Sequence, residues 1–360
     1  SRRRHTRYGT VTGVQTCALP ISITINNGTL TGSAALTNIS GGLIQGYGTL
    51  THQIINAAGG TILATNGVLV MTSSIFQTNL GTMAVANNAT MTWNVSNAWV
   101  NANLVNMLGG TLRTGGHTNS NFGDSFTNAV GATIAGYGTI IGGGAYGGSG
   151  SGFDKGIVNF GTITASNGVL AINTAFATAN RGLANYGWMT VLTSNDTLAL
   201  LRQAEISPTV TNLNYIFNSG TIIINGGTLT ANTSFTNRNE GVGLPGLIQG
   251  YGRIALTNLF VNSGTVRSTN TVAGGNGVLQ FINSQVGDTD IVDIRQSGTL
   301  VVEAGSQMIF GTASNSVIEN TGTILINGGT LRSGDLTNSA GWVVSGFGTI
   351  TRSEEHTSEL

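Results

Sequence analysis

The chain has 360 residues, of which only 8% are charged, and its 14 basic and 14 acidic side chains leave no net charge. Soluble domains usually carry charge at about a quarter of their positions, so this chain is unusually poor in charge. A single lysine, Lys155, argues against nucleic-acid binding, which needs a basic surface. A single cysteine, Cys17, excludes a disulfide framework, and no apolar run reaches the roughly 18 residues of a membrane-spanning helix.

The two ends of the chain differ in character from the rest. Arg352–Leu360 reads RSEEHTSEL, and a DNA segment that encodes it would encode Val14–Ile21 on its opposite strand in a shifted frame. One DNA segment in two orientations therefore explains both ends, and it resembles a short-read sequencing adapter. We predict that residues 1–21 and 352–360 are adapter-derived and that residues 1–21 are without fixed structure. Residues 22–351 then hold 14 − 5 = 9 basic and 14 − 3 = 11 acidic side chains.

A ten-residue segment recurs along this remaining part. Its clearest copy is Gly60–Leu69, GTILATNGVL, which has a short apolar stretch, a pair of turn residues and a second apolar stretch. Asn and Gly tolerate a left-handed backbone, so the middle pair predicts a turn between two strands. The other copies are Ile23–Leu30, Gly81–Thr90, Gly161–Leu170, Gly220–Leu229 and Gly322–Leu331.

A longer repeat contains this segment. It runs from a Gly-Thr-Leu strand through a Leu/Phe-Thr-Asn step to a Gly-aromatic-Gly segment, and then into the next ten-residue copy. The aromatic residues are Tyr47, Tyr137, Tyr251 and Phe347, at intervals of 90, 114 and 96 residues. Unequal spacing indicates a solenoid, in which loops vary in length while the strands stay in register.

Low charge has a physical reason in such an architecture. Strands stacked at about 4.8 Å place equivalent side chains above one another, where like charges repel by roughly 1 kcal/mol even in water. Asn, Thr and Ser can instead form hydrogen bonds along the stack. We therefore predict that residues 22–351 form one all-β parallel β-solenoid, an uncapped fragment of about 15 coils and about 70 Å. The crossover rule favours a right-handed helix.

Two stretches depart from the repeat. Residues 141–156 are rich in Gly and Ser and predict an inserted loop that lacks the order of a phosphate-binding loop. Residues 195–208, NDTLALLRQAEISP, predict a second insertion with a short helix that Asp196 caps and Pro208 ends. Leu198, Leu201 and Ala204 would share one face of this helix, which we expect to pack on the rod. A partner-binding arm is the alternative.

The densest group of acidic residues is GDTDIVDIR, residues 287–295. Asp288 and Asp290 would share a face of an extended strand, and with Asp293 and Arg295 they form the best catalytic candidate. No histidine lies near them in the sequence, and the acid-pair and His-Gly motifs of the pectin hydrolases are absent. Solvated loop charges are the interpretation that we prefer.

Other site chemistry has little support in the sequence. His52 and His117 are isolated, and the Ser and Thr residues have no Asp–His arrangement beside them, so we predict no metal, no cofactor and no nucleophilic triad. Trp93 and Trp99 could stack on sugar rings if they were exposed, but we expect them to be buried in the rod.

The Gly-aromatic-Gly-Thr-Ile, Val-Asn-x-Gly-Thr-Ile and Asn-Gly-Val-Leu runs resemble the passenger β-helices of bacterial autotransporters and filamentous-haemagglutinin-like proteins. The nearest type is the autotransporter-associated β-strand repeat of very large environmental surface proteins. The resemblance implies an internal fragment of an exported, extracellular or cell-surface bacterial protein that acts as a non-catalytic adhesin or structural rod.

The implied partners are a host or environmental surface, glycans or other cell-surface proteins. Open strand edges also predict end-to-end self-association. The alternative function is a carbohydrate-active parallel β-helix enzyme, a polysaccharide lyase or hydrolase that uses the acids of residues 288–295.

Overall fold

A computed structural model describes residues 22–32, 34–51, 53–73, 77–95, 99–114, 126–142, 156–174, 182–202, 216–239, 245–257, 259–270, 277–283, 293–311 and 317–352. The regular structure of these residues is entirely β. The first strands are β1 Ser22–Leu30, β2 Leu36–Asn38, β3 Leu43–Leu50, β4 Ile54–Asn56, β5 Thr61–Ser73, β6 Gln77–Asn79, β7 Thr82–Ala86, β8 Thr90–Val95, β9 Trp99–Asn101, β10 Leu104–Thr114, β11 Phe126–Asn128, β12 Thr133–Gly142, β13 Ile157–Asn159, β14 Thr162–Thr174 and β15 Leu183–Asn185. The remaining strands are β16 Trp188–Val191, β17 Thr197–Arg202, β18 Ile216–Asn218, β19 Thr221–Ala231, β20 Phe235–Asn237, β21 Leu247–Leu256, β22 Phe260–Asn262, β23 Thr265–Ser268, β24 Gly277–Asn283, β25 Asp293–Gln296, β26 Thr299–Glu303, β27 Ser306–Phe310, β28 Val317–Asn320, β29 Thr323–Ser333, β30 Asp335–Asn338 and β31 Val343–Arg352.

The strands stack into two sheets. A wide sheet contains eighteen strands, and a narrow sheet contains thirteen strands of three or four residues each. Each strand pairs in parallel with its equivalents in the coils before and after it, as β3 does with β1 and β5. The prediction of a parallel β-solenoid is confirmed.

The coils are longer than the sequence suggested. The narrow-sheet strands that end at Asn38 and Asn338 lie twelve steps apart, so the mean coil has (338 − 38)/12 = 25 residues. The described residues therefore include strands of thirteen coils and the first strand of another, against the expected 15. Stacked at about 4.8 Å, they make a rod on the order of 60 Å long.

The Asn-Gly pairs mark bends within single strands. β5 continues through its pair, where Asn66 has a left-handed φ of 58° and Gly67 one of 156°. Asn167 in β14 has the same conformation, with a φ of 63°. The left-handed backbone is confirmed. The predicted turn between two strands is present in the copy Gly81–Thr90, where Asn87-Asn88 separates β7 from β8, whereas the pairs in β5 and β14 are bends within one strand.

A glycine in the Gly-aromatic-Gly segment permits a close approach between coils. Gly136 has a φ of +115°, and a Cβ atom there would lie 1.9 Å from the carbonyl oxygen of Met107 in the preceding coil. Only glycine fits a left-handed position with so little space. The segment is thus a requirement of backbone packing.

The core is a column of apolar side chains between the two sheets. Alternate residues of each strand point inward, for example Ile62 and Leu69 of β5, both fully buried. Phe235, Phe260, Phe281 and Phe310 form a continuous run of rings from four coils, with centroids 4.7–5.6 Å apart. Phe235 and Phe260 are paired positions of the narrow sheet, and Phe281 and Phe310 are paired positions of the wide sheet, so their rings meet from coil to coil. The contact of Phe260 with Phe281 joins the two sheets across the core.

An asparagine ladder runs beside this core. Each narrow-sheet strand ends in an amide residue, and all but the last of these amides are at most 5% exposed. In eleven of the twelve steps, the Nδ2 of one rung donates to the side-chain oxygen of the next rung. The rungs are Asn38, Asn56, Asn79, Asn101, Asn128, Asn159, Asn185, Asn218, Asn237, Asn262, Gln296, Asn320 and Asn338.

The ladder skips one step at its only glutamine. The Nε2 of Gln296 donates to the carbonyl oxygen of Thr323 at 3.3 Å, while the Oδ1 of Asn320 accepts from the backbone N of Gly322 at 3.1 Å. The extra methylene of glutamine displaces its amide from the position that the other rungs share.

Replacing Gln296 by asparagine is therefore expected to complete the ladder. One added buried hydrogen bond contributes about 1 kcal/mol to the free energy of unfolding. Urea denaturation followed by circular dichroism measures it, with Gln307→Asn on the half-buried outer side of β27 as the matched control. A Gln296→Asn midpoint at or below that of the parent would contradict this account.

The predicted helix in residues 195–208 is wrong for its described part. Residues 197–202 form β17, which pairs with β14 and β19, and residues 203–208 lie outside the described residues. Leu198 and Leu200 are buried at strand spacing. Stacking against two neighbouring strands overrides the helix propensity of the Leu- and Ala-rich sequence.

The insertion predicted at 141–156 overlaps β12 at its first two residues, and residues 143–155 lie outside the described part.

Asp196 stabilises a turn instead of capping a helix. It is 2% exposed, and its carboxylate accepts hydrogen bonds from the backbone N of Thr193 at 2.9 Å and the Oγ1 of Thr193 at 2.7 Å. A third bond, from the backbone N of Gly168 at 2.9 Å, joins it to the preceding coil. One side chain thereby fixes the turn between β16 and β17 and its contact with β14.

We expect Asp196→Ala to lower the free energy of unfolding by about 2–3 kcal/mol, because it leaves buried donors unpaired. Glu319→Ala is the control, since that carboxylate is 64% exposed and its loss should change stability by about 0.5 kcal/mol or less. Thermal or urea unfolding of the two variants gives the comparison. Equal effects would show that the Asp196 bonds contribute little.

Candidate functional site

The acidic segment named by the sequence lies mostly outside the described residues. Asp288 and Asp290 fall there, and Asp293 is described only by its backbone, which begins β25 opposite Val317 of β28. Arg295 lies on the outer face of the narrow sheet, and its side chain is 69% exposed. Its Nε is 4.0 Å from an Oε2 of Glu319, itself on the exposed face. This pair is a solvent-exposed contact between neighbouring coils, of the kind that contributes little to stability.

Metal and histidine chemistry finds no support among the described residues. His52 and His117 fall outside them. No group of three or more His, Cys, Asp or Glu side chains that could hold a metal ion occurs in the part of the chain that the structure describes. No described helix is long and apolar enough to cross a membrane.

The two tryptophans are core residues, as expected. Trp93 and Trp99 are each 1% exposed, and their rings stack with centroids 5.1 Å apart. Trp99 also stacks on Phe126 of the next coil at 4.5 Å. Their indole Nε1 atoms are buried without a hydrogen-bond partner. Neither ring is accessible to a sugar, so any ring that stacks on a ligand must be a different one.

A row of rings, of which Phe160 is exposed and the others are partly buried, lies along the outer edge of the narrow sheet. Phe160, 41% exposed, stacks on Tyr186 of the next coil at 5.3 Å, and Tyr186 meets Phe217 edge-on at 5.6 Å. The guanidinium carbon of Arg238 lies 3.4 Å above the Phe217 ring. We call Phe160, Tyr186, Phe217 and Arg238 the aromatic row. Such rings, together with a stacked cation, can contact the ring faces and apolar edges of a ligand.

The aromatic row was not predicted, although the sequence contains a signal for it. Phe160 and Tyr186 each stand between a ladder asparagine and a glycine, in Asn159-Phe160-Gly161 and Asn185-Tyr186-Gly187. The asparagine points inward to the ladder, so the next residue must point outward. An aromatic residue at that position in consecutive coils therefore predicts a stacked exterior row.

A second ion pair of the described residues lies on the outer surface. Besides Arg295 and Glu319, the Nε of Arg267 lies 3.5 Å from the Oε1 of Glu303, with both side chains partly exposed. Glu303 also accepts a hydrogen bond from Asn327 at 3.3 Å. These contacts join consecutive coils of the wide sheet and present no converging acid and base. They are structural contacts.

The comparisons with known proteins add little to these observations. No protein-family model matches the chain, and no curated protein matches it. Among solved structures it is similar to one described as the crystal structure of a TibC-catalyzed hyper-glycosylated TibA55-350 fragment. The identity is 13%, the match covers 92% of this chain and 100% of the other, and the TM-score is 0.33. The solenoid fold of this chain is defined by its own strand pairing and register.

Proposed function

We propose that the chain is a non-catalytic rod of an exported bacterial protein that acts as an adhesin or structural element at the cell surface or outside the cell. The observation that carries this proposal is the repetition of one cross-section, with its core column and asparagine ladder, through thirteen coils. Repeated coils present long, rigid and extended surfaces, which suit display and contact more than they suit a single reaction centre. The motif resemblance to autotransporter passengers supports the same function.

The charge distribution favours this function over catalysis. Polysaccharide cleavage needs an acid and a base positioned on either side of one bond. Arg295 and Glu319 are exposed on the outer face, and their separation is that of ordinary neighbours between coils. The enzyme alternative therefore depends on Asp288 and Asp290, which would have to converge with Asp293.

One experiment separates the two functions. The purified chain is incubated with polygalacturonate and with alginate, each free in solution and immobilised on beads, and both new chain ends and retained protein are measured. We expect no new chain ends. Cleavage that Asp290→Asn abolishes and that the control Asp335→Asn leaves intact would establish the enzyme and overturn the proposal.

Export is tested separately. The chain, fused to an outer-membrane translocator and an epitope tag, is expected to reach the surface of a bacterial cell, where antibody labels it without permeabilisation. The coils can stack one after another as they emerge, because each contacts only its neighbours. A fusion that stays inside the cell while the translocator inserts would contradict the proposed location.

A further inference from the structure

Trp188 is exposed in the middle of the rod. It begins β16, it is 51% exposed, and coils lie on both sides of it. The next residue, Met189, is fully buried in the core, so Trp188 points outward from the wide sheet. It pairs with Thr162 of the preceding coil and with Thr221 of the following coil. This indole ring is therefore accessible to a ligand, unlike those of the two core tryptophans.

The fold does not require a ring at this position. At the thirteen paired positions of the other coils, eight residues are threonine and none is aromatic. These positions are Ser22, Leu43, Thr61, Thr82, Leu104, Thr133, Thr162, Thr221, Leu247, Thr265, Thr299, Thr323 and Val343. Threonine is β-branched and suits an outward strand position, so the exposed ring of Trp188 is an addition to a fold that stands without it.

Two further rings accompany Trp188 at the corner where the narrow sheet leads into the wide sheet. Tyr186 precedes Trp188 by two residues, a separation of at most about 7 Å along the chain. The Tyr186 ring stacks on Phe160 of the preceding coil at 5.3 Å, and Phe160 is 41% exposed. We call Phe160, Tyr186 and Trp188 the ring cluster. Its members occupy two adjacent coils, so one ligand can contact more than one of them.

Threonine hydroxyls lie beside Trp188 on the outer face of the wide sheet. Thr162 is its neighbour across the strand pair, about 4.8 Å away along the rod. Thr190 follows Trp188 by two residues on the same side of the strand, and Thr164 is paired with Thr190. All three threonines are partly exposed, and each hydroxyl can both donate and accept a hydrogen bond. Rings and hydroxyls therefore alternate over a short distance.

The described residues around the ring cluster offer no accessible cation. Asp196 lies in the same coil as Trp188, but it is 2% exposed and its carboxylate is held by the turn after β16. Arg238 lies two coils beyond Trp188, and its guanidinium carbon lies 3.4 Å above the Phe217 ring. An acidic sugar or a phosphate is usually recognised by an accessible Arg or Lys. The surroundings of the ring cluster favour an uncharged ligand.

We propose that the ring cluster and its neighbouring threonines bind a neutral saccharide chain, an inference that rests on the proposed role of the rod as an adhesin. A pyranose ring has a face of C–H groups and a rim of hydroxyl groups. The C–H face packs on the indole of Trp188, and the hydroxyl groups exchange hydrogen bonds with Thr162 and Thr190. A membrane or an apolar protein surface would need a continuous apolar area, which the threonines interrupt.

Three variants test the ring cluster. Trp188→Thr introduces the residue of the neighbouring coils, so the fold is retained while the stacking surface is lost. We expect this variant to bind a neutral hexasaccharide about tenfold more weakly or worse. Phe160→Ser removes a ring at the edge of the cluster and should have a smaller effect in the same direction. Trp342→Thr is the matched control, because it removes a tryptophan that is 46% exposed but lies outside the cluster.

Isothermal titration calorimetry of the full chain measures the affinities. The probes are cellohexaose, chitohexaose and maltohexaose, with hexagalacturonate as a charged chain of the same length. The parent and Trp342→Thr should bind at least one of the three neutral chains, and should bind it more tightly than hexagalacturonate. The proposal is overturned if the parent binds no neutral chain, if it prefers hexagalacturonate, or if Trp188→Thr binds as tightly as the parent.

This test and the export test give independent answers. A chain that reaches the cell surface but binds none of the neutral hexasaccharides contradicts the saccharide site and leaves the proposed location intact. A chain that binds a neutral hexasaccharide through Trp188 but stays inside the cell contradicts the proposed location and leaves the saccharide site intact.

Discussion

Replacing Asn128 by alanine is expected to lower the free energy of unfolding by about 3 kcal/mol or more, since buried groups on two coils lose their partners. Asn128 is fully buried, accepts from the Nδ2 of Asn101 at 2.8 Å and donates to the Oδ1 of Asn159 at 2.7 Å. It also donates to the carbonyl oxygen of Thr162 at 3.1 Å. Urea denaturation measures the loss.

Two companion variants sharpen this result. Thr127→Ala, one residue earlier on the outer side of β11, should change stability by about 0.5 kcal/mol or less. Asn128→Asp keeps the shape but replaces the donor by a second acceptor that faces the Oδ1 of Asn159. If Asn128→Ala and Thr127→Ala unfold at the same urea concentration, the ladder contributes no net stability.

The aspartate variant should also depend on pH. Burial raises the pKa of the introduced carboxyl in the folded state above its value in the unfolded chain, which is about 4. The folded state then holds the proton more tightly, so the variant is most stable below that value and loses stability as the pH rises through the raised pKa. The protonated form can donate to Asn159. A deficit that is constant from acid to neutral pH would show that the carboxyl is not buried.

Replacing Trp99 by alanine is the second large effect that we expect, a loss of about 3–5 kcal/mol in the free energy of unfolding. The ring is 1% exposed and lies between Trp93 of its own coil and Phe126 of the next coil, so its removal leaves a cavity shared by two coils. Thermal and urea unfolding both report the change.

The environment of Trp99 supplies two controls. Trp99→Phe keeps a stacked ring and removes an indole N–H that has no partner, so its effect should be below about 1.5 kcal/mol. Trp188 is 51% exposed, and Trp188→Ala should change stability little. If Trp99→Ala and Trp188→Ala destabilise equally, the interior position of Trp99 is contradicted.

Much of the fold could be predicted from the sequence because its constraints repeat. The glycine of a Gly-aromatic-Gly segment is required wherever a carbonyl of the preceding coil comes as close as that of Met107 to Gly136. The asparagine that ends each Leu/Phe-Thr-Asn step recurs because a ladder rung needs a donor and an acceptor on one short side chain. A residue type that every coil requires recurs in the sequence and can therefore be recognised as a repeat.

The predictions were wrong where the local propensity of a segment disagrees with the conformation that stacking on neighbouring coils imposes. The segment of β17, TLALLR, consists mostly of good helix formers, and Leu198 and Leu201 have helical spacing. Its strand conformation is set by β14 and β19, which are distant in sequence. The coil number was overestimated because the mean spacing of the narrow-sheet strands is 25 residues and not the assumed 22 or so.

The candidate site was less predictable than the fold. An acidic cluster such as residues 287–295 can be found by composition, but convergence of side chains depends on loop geometry that no repeat specifies. Phe160 occupies the variable position of the Val-Asn-x-Gly-Thr-Ile run, and Tyr186 lies in a coil outside the aligned repeats, so their succession was not recognised. Only the inward direction of Asn159 and Asn185, set by the ladder, reveals that their neighbours face outward.

The asparagine ladder has a direction, and the direction gives the rod an electrical polarity. Every rung before Gln296 turns its nitrogen toward the later coil, where a backbone carbonyl such as that of Thr162 fixes the orientation because a carbonyl oxygen can only accept. The amide dipoles therefore add along the axis, whereas successive peptide groups of a strand point alternately to the preceding and the following coil, so their dipoles largely cancel along it. Reversing a single amide would set oxygen against oxygen on one side and nitrogen against nitrogen on the other. The ladder must therefore keep its orientation as a unit, and the amide of each coil fixes the orientation of the amide in the next coil.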